Sequence, residues 1–349
     1  MLPVPANTPE GYRREGPIVT VLGDKTDLDF ASARPSPYMV QSQRVWRFVK
    51  GAAKVAAVLA LAGFYPVLMW QAHDINDAPM EAVSAETWAS PSVGVAITLV
   101  AREVEGPGWT SDKVAIAPAR QLTGQPAWQE GVVNALADYI QLAAGTVTRS
   151  SEIDADLAAA GRLLRYKADT EMTPRLIAAA EALARFNGRV HADLTSDLDA
   201  DQDLAQSLRL FAGWAADSSG ELGERVGHSH GWPASRSDVH AFYTARARAH
   251  VASGMLQAAV HAHPELMQRA AVRAQLRETQ AIWTRIARQS PLLVSNQDGD
   301  GAVLPNHLAA MAWHLEQAEA ASLHLAELVT SAQPNMTVAG TGMTVTTSP

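Results

Sequence analysis

The chain has 349 residues, 28 Lys and Arg against 36 Asp and Glu for a net charge of −8, and no cysteine. Its length is enough to bury a substantial core, and without cysteine nothing in the fold depends on oxidative pairing. The acidic balance argues against a nucleic acid partner, which needs clustered cations to displace counterions.

Residues 1–48 contain Pro3, Pro5, Pro9, Pro17, Pro35 and Pro37 with little periodicity, and they read as a disordered cytoplasmic tail. The β-prone run Ile18 to Leu22 interrupts it. Residues 49–71 form the most distinctive segment. Val55 to Trp70 carry sixteen consecutive uncharged residues, and a helix from Gly51 to Trp70 covers about 30 Å, the thickness of a bilayer core. Leucine, valine and phenylalanine each favour insertion by about 0.3–0.6 kcal/mol, and Lys54 lies close enough to the end to snorkel. Trp46 and Trp70 flank the run as interfacial aromatics, and Pro66 sits near its far end. Ala52, Ala56 and Ala60 recur at a spacing that permits close helix approach and self-association.

Arg44, Arg47, Lys50 and Lys54 precede or open the run, whereas Asp74, Asp77 and Glu81 follow it. Residues 1–70 have a net charge of +3 and residues 71–349 a net charge of −11. The positive-inside rule then predicts a single-pass inner-membrane protein of a bacterium, with a cytoplasmic N-terminus and its main domain in the periplasm. Val83-Ser84-Ala85 resembles a cleavage site, but 48 residues before the apolar run are too many for a signal peptide, so the anchor is read as uncleaved.

Residues 72–85 read as a linker and residues 86–332 as an all-α bundle or array. Helices are expected from Ser90-Pro91 to about Glu105, over 128–144, and near 152–166, 174–190, 201–217, 237–262, 264–289 and 306–331. Thr173-Pro174 and His263-Pro264 serve as starts. No stretch sustains the period-two alternation of a sheet. Residues 333–349 form a second loose tail.

Several short segments invite chemical readings. Gly227-His228-Ser229-His230-Gly231 matches the G-x-S-x-G turn of hydrolases, with Ser229 as nucleophile, but it lacks the preceding strand and following helix that such a turn requires. Ser235 to Asp238 supply N-cap candidates just after it. His228 and His230, with Glu224 nearby, are transition-metal candidates. Asn296, Asp298 and Asp300 with Gly301 match the first half of a calcium loop, although His307 stands where a bidentate glutamate is needed. His307 and His314 share a helix face and suit core or capping roles. Arg102, Glu103 and Asp154 are potential acid/base residues, with ion pairing as the default. The run Asp193, Asp197, Asp199, Asp201 and Asp203 suits a solvated helix start.

The segments Leu99 to Val104 with Gly108-Trp109, Pro126 to Val132, Arg149-Ser150-Ser151, Asp154 to Leu157, Trp232 with Asp238, Phe242-Tyr243, Trp283 and Pro305 to Leu308 resemble the domain of unknown function 2333 family. The resemblance covers most of residues 86–330. It implies one N-terminal span and a helical outer domain, and it assigns no activity and no catalytic residue.

The leading expectation is therefore a membrane-anchored scaffold or accessory subunit of an envelope complex. It has the bilayer and envelope proteins as partners, no cofactor and no nucleic acid. A metal-responsive binding module and a serine hydrolase are the alternatives.

Overall fold

A computed structural model of the chain describes residues 45–46, 48–60, 63, 75–78, 80, 88–106, 108–114, 117–146, 153–195, 204–226, 228, 232–297 and 304–332. The chain divides into two units, Met1–Leu61 and Ala62–Pro349. In the first, residues 48–60 are helical and Phe48, Val55, Val58 and Leu59 are exposed, as are Lys54, Ala56 and Ala60. Lys50 lies over the Trp46 ring. Among the described residues, no helix is long and apolar enough to cross a membrane. Residues 61–62 and 64–71 of the expected span, Trp70 included, lie outside those residues.

The second unit is all-α among its described residues. Its helices are α1 (Pro91–Glu105), α2 (Pro118–Gln121), α3 (Gly124–Thr146), α4 (Ala155–Leu164), α5 (Met172–His191), α6 (Leu204–Arg225), α7 (Arg236–Ala262), α8 (Pro264–Met267), α9 (Ala270–Ala287) and α10 (His307–Ala332). Helix α7 is the hub, packing against α1, α3, α6, α9 and α10. Its buried positions include Ala241, Ala245, Ala247, Ala249, Ala252, Gly254, Ala258 and Ala259, small residues that let several helices approach one axis at once. Around it, α3 carries α4, α4 carries α5, and α5 returns to α1, while α6 pairs along its length with α10. Trp128, Trp283, Phe186, Phe211 and Phe242 fill the space between these layers and are fully buried.

Local chemistry explains most helix starts. Asp154 caps α4 by accepting from the backbone N–H groups of Asp156 and Leu157, and Ser235 with Asp238 forms a capping box at α7. Two expectations require correction. Residues 264–289 are not one helix: the chain breaks after α8, and Arg269 takes an extended conformation before α9 begins. Helix α5 starts at Met172, ahead of Pro174, because Asp112 accepts from the N–H groups of Met172 and Thr173 and from the Thr173 hydroxyl. That cap comes from a separate 3₁₀ turn, Thr110–Asp112, so no local signal could announce it.

Part of the expected linker also belongs to the fold. Met80 is buried, and residues 75–78 and 80 lie along α7 as a strap. Asp77 pairs with Arg246, the Ala78 carbonyl accepts from Arg102 at 2.7 Å, and the Met80 carbonyl accepts from Gln257 at 3.3 Å.

The α3–α7 crossing depends on Gly131. A Cβ there would lie 2.7 Å from Ala247 Cβ and 3.0 Å from the Thr244 carbonyl. Gly131→Ala is expected to lower stability by about 1–3 kcal/mol despite its better helix propensity. Gly213→Ala in α6 meets nothing within 4 Å and is expected to raise it by about 0.5–1 kcal/mol. Urea unfolding of the two variants checks this difference in sign.

Candidate functional site

The polar residues that the helices bring together line a cleft between α7 and α9. From α7 come His250, Ser253, Gly254 and Gln257; from α9 come Gln280, Thr284 and Ala287, followed by Arg288; the strap adds Asp77 and Met80. The cleft encloses about 250 Å³. It opens onto an exposed face of α9 that carries Arg277, Arg285 and Arg288.

The cleft is held by a buried polar cluster at its inner end. The Arg246 side chain is 3% exposed and paired with Asp77. Its Nε donates to the Ala287 carbonyl at 2.9 Å, and its guanidinium lies over the rings of Trp128 and Tyr243. Trp128 in turn donates from Nε1 to Glu103 at 2.9 Å. Burial pushes the Glu103 carboxyl above its ordinary value, against the lowering effect of the Trp128 and Gln129 hydrogen bonds. His250 stacks obliquely against Trp128, with ring centres 5.2 Å apart. Its Nε2 is buried without a hydrogen-bond partner. Burial first, and then the positive charges of Arg102 and Arg246, lower its pKa from 6.5 to about 4, so the imidazole is neutral at pH 7 and a poor general base there. Ser253, one turn along, hydrogen-bonds to Thr284 at 2.8 Å.

Apart from Arg102 and Glu103, none of these residues was selected from the sequence as a site. A signal exists: Arg246, His250, Ser253 and Gln257 recur at helical spacing and form a polar stripe on a helix otherwise rich in buried alanine.

The other sequence candidates with described side chains lie outside this cluster. Ser229, His230, Asp298, Asp300 and Trp70 lie outside the described residues. His228 is exposed, and its Nδ1 lies 3.3 Å from the Val226 carbonyl. Asn296 is a brace: its Nδ2 donates to the Arg225 carbonyl at 2.8 Å, its Oδ1 accepts from Asn306 at 3.3 Å, and its N–H donates to the Pro233 carbonyl. Among the described residues no three His, Asp or Glu side chains gather as a metal site. His307 opens α10 and its Nδ1 accepts from the Ser295 N–H of the preceding loop, while the α10 cap is Asn306, whose Oδ1 accepts from the Ala309 N–H. Arg102, Glu103 and Asp154 are bound to separate partners, with Asp154 paired to Arg189 at 2.9 Å. No family model matches the chain, and neither a curated protein nor a solved structure matches it.

Because His250 is held below its unfolded value, the unfolded chain takes up the proton first as pH falls. The stability that rests on the neutral ring is complete above about pH 6.5 and is lost progressively toward about pH 4, by about 3 kcal/mol in all. Glu103 acts in the opposite sense, and comparison with His250→Gln cancels it. Wild type is expected to lose stability relative to His250→Gln between pH 7 and pH 4, measured by urea unfolding across that range.

Asn296→Ala removes the Nδ2 donor to the Arg225 carbonyl and the Oδ1 acceptor of the Asn306 amide. The expected loss is about 1–3 kcal/mol, equal with and without added calcium. A deficit that appears only with calcium would identify Asn296 as a ligand instead, and thermal unfolding in calcium or chelator distinguishes the two.

Proposed function

We propose that this protein is a membrane-anchored helical scaffold or accessory subunit of a bacterial envelope complex, working through binding and not through bond chemistry. The observation that carries this reading is the docked strap. Asp77, Ala78 and Met80 are each stitched to the helical domain, so the chain that leaves the apolar run enters the fold almost at once. Trp70 and Asp77 are separated by seven residues, a path of at most about 25 Å. Such a short tether suits a subunit with a set position and suits poorly an enzyme that must range over distant substrates.

The exposed apolar side chains of residues 48–60 support a lipid-facing role for that segment, and the charge reversal across it supports a periplasmic domain. The family resemblance belongs to the same reading. A protein partner is supported by the end of the bundle where Asn296 joins two loops: there Trp232 is 75% exposed and Leu292 fully exposed, and large apolar side chains of this kind anchor interfaces. The cleft favours a second reading, a small-molecule binding module.

A reporter active only outside the cytoplasm is expected to work when fused after residue 332 and to fail when fused within residues 1–40. In-cell crosslinking from position 232 or 292 is expected to capture envelope proteins, and capture is expected to fall for Trp232→Ala. A reporter active only from the N-terminal fusion would overturn the topology, and crosslinks confined to cytoplasmic proteins would overturn the scaffold.

A further inference from the structure

We propose that the α7–α9 cleft is a binding site for a small organic anion carrying a phosphate or carboxylate group. This goes beyond the anchored-scaffold reading and does not depend on it.

The first observation is space with polar walls. About 250 Å³ corresponds to about eight water molecules at roughly 30 Å³ each, the size of a three-carbon phosphate or a small tricarboxylate. Ser253, Thr284, Gln257 and Gln280 line it; the Ser253–Thr284 pair uses one of its two hydroxyl hydrogens and Gln257 one of its two amide hydrogens, and the donors that remain suit oxygen acceptors.

Charge is the second. Asp77 is the acidic side chain in the lining, and Arg246 already pairs with it. Arg288 lines both the cleft and the adjoining face, where Arg277 and Arg285 stand beside it. None of these three arginines forms an ion pair among the described residues. Arg288 at the cleft and Arg277 and Arg285 on the adjoining face make this side of α9 cationic in a chain whose net charge is −8. Arginine binds phosphate and carboxylate through two parallel N–H donors, so the rim has the geometry for this chemistry.

The third observation is the imidazole. His250 is the most buried polar side chain of the lining, and its Nε2 lacks a partner. That atom is closed to solvent, so the ring forms part of the cleft wall and reports on what occupies the cleft.

The test is calorimetry on the full-length protein with glycerol 3-phosphate, citrate and uncharged glycerol, together with NMR of the His250 ring. Saturable binding is expected for at least one of the two anions and not for glycerol, with the ring signals moving at the same midpoint. Arg288→Gln, an exposed substitution, is expected to weaken binding tenfold or more. Arg273→Gln is the control, because that guanidinium donates to the Met267 carbonyl away from the cleft, and it should bind as wild type does. Displacement of glycerol 3-phosphate by phosphatidylglycerol bicelles but not by phosphatidylcholine bicelles would identify a lipid headgroup as the source, and absence of displacement a free metabolite; either supports the site. Failure of both anions to saturate at millimolar concentration, equal binding of glycerol, an unmoved His250 ring, or unchanged affinity in Arg288→Gln would each overturn it.

Discussion

A buried guanidinium organises this domain. Arg246 sits in the middle of the longest helix among the described residues, almost wholly removed from water, where an unpaired charge is strongly unfavourable. Its needs are met from three directions: the strap supplies the Asp77 carboxylate, the end of α9 supplies the Ala287 carbonyl, and Trp128 of α3 supplies a ring face. Breaking such a pair by removing one partner typically costs about 3–5 kcal/mol, because the other charge stays buried. The position of the strap against α7, and the separation of α7 from α9 on that side, both follow from satisfying one side chain.

The same arrangement creates the cleft. The small residues of α7 allow close packing of α3 and α1, as the Gly131 contacts with Ala247 and the approach of Val95 to Gly254 show. On the opposite side, Arg246, His250, Ser253 and Gln257 keep α9 and the strap apart, since polar side chains need room for partners. Ser253 and Thr284 bridge this gap at 2.8 Å. Recognition chemistry is thus placed along one stripe of a helix whose remaining faces build the core.

At the far end of α7 the polar groups have a different task. Asp238 completes the capping box and lies 3.4 Å from the Asn296 amide, which is tied in turn to Arg225 and Asn306. Residues that resemble a calcium loop and a capping motif in the sequence meet here as one buried network. It joins the end of α6, the start of α7 and the approach to α10. Hydrogen bonds of this kind fix the loops they join, and Trp232 and Leu292 on those loops stand exposed.

Local sequence was enough for the helical class, the stop at Gly106 and the N-cap candidates at Ser235–Asp238, because periodicity and capping act within one or two turns; the cap that Asp154 supplies to α4 was not read from it. It also marked the uncharged run from Val55, a property of composition alone. It did not reveal the break at Arg269, the capping of α5 by Asp112, the docking of the strap or the cleft. The Asp112 cap, the strap and the cleft depend on partners far apart in the chain: Asp112 is 61 residues from Thr173, and Asp77 is 169 residues from Arg246. Pairs at such distances leave no repeating pattern, and only the packing of α3, α7 and α9 decides that a polar stripe beginning at Arg246 faces a neighbour instead of solvent.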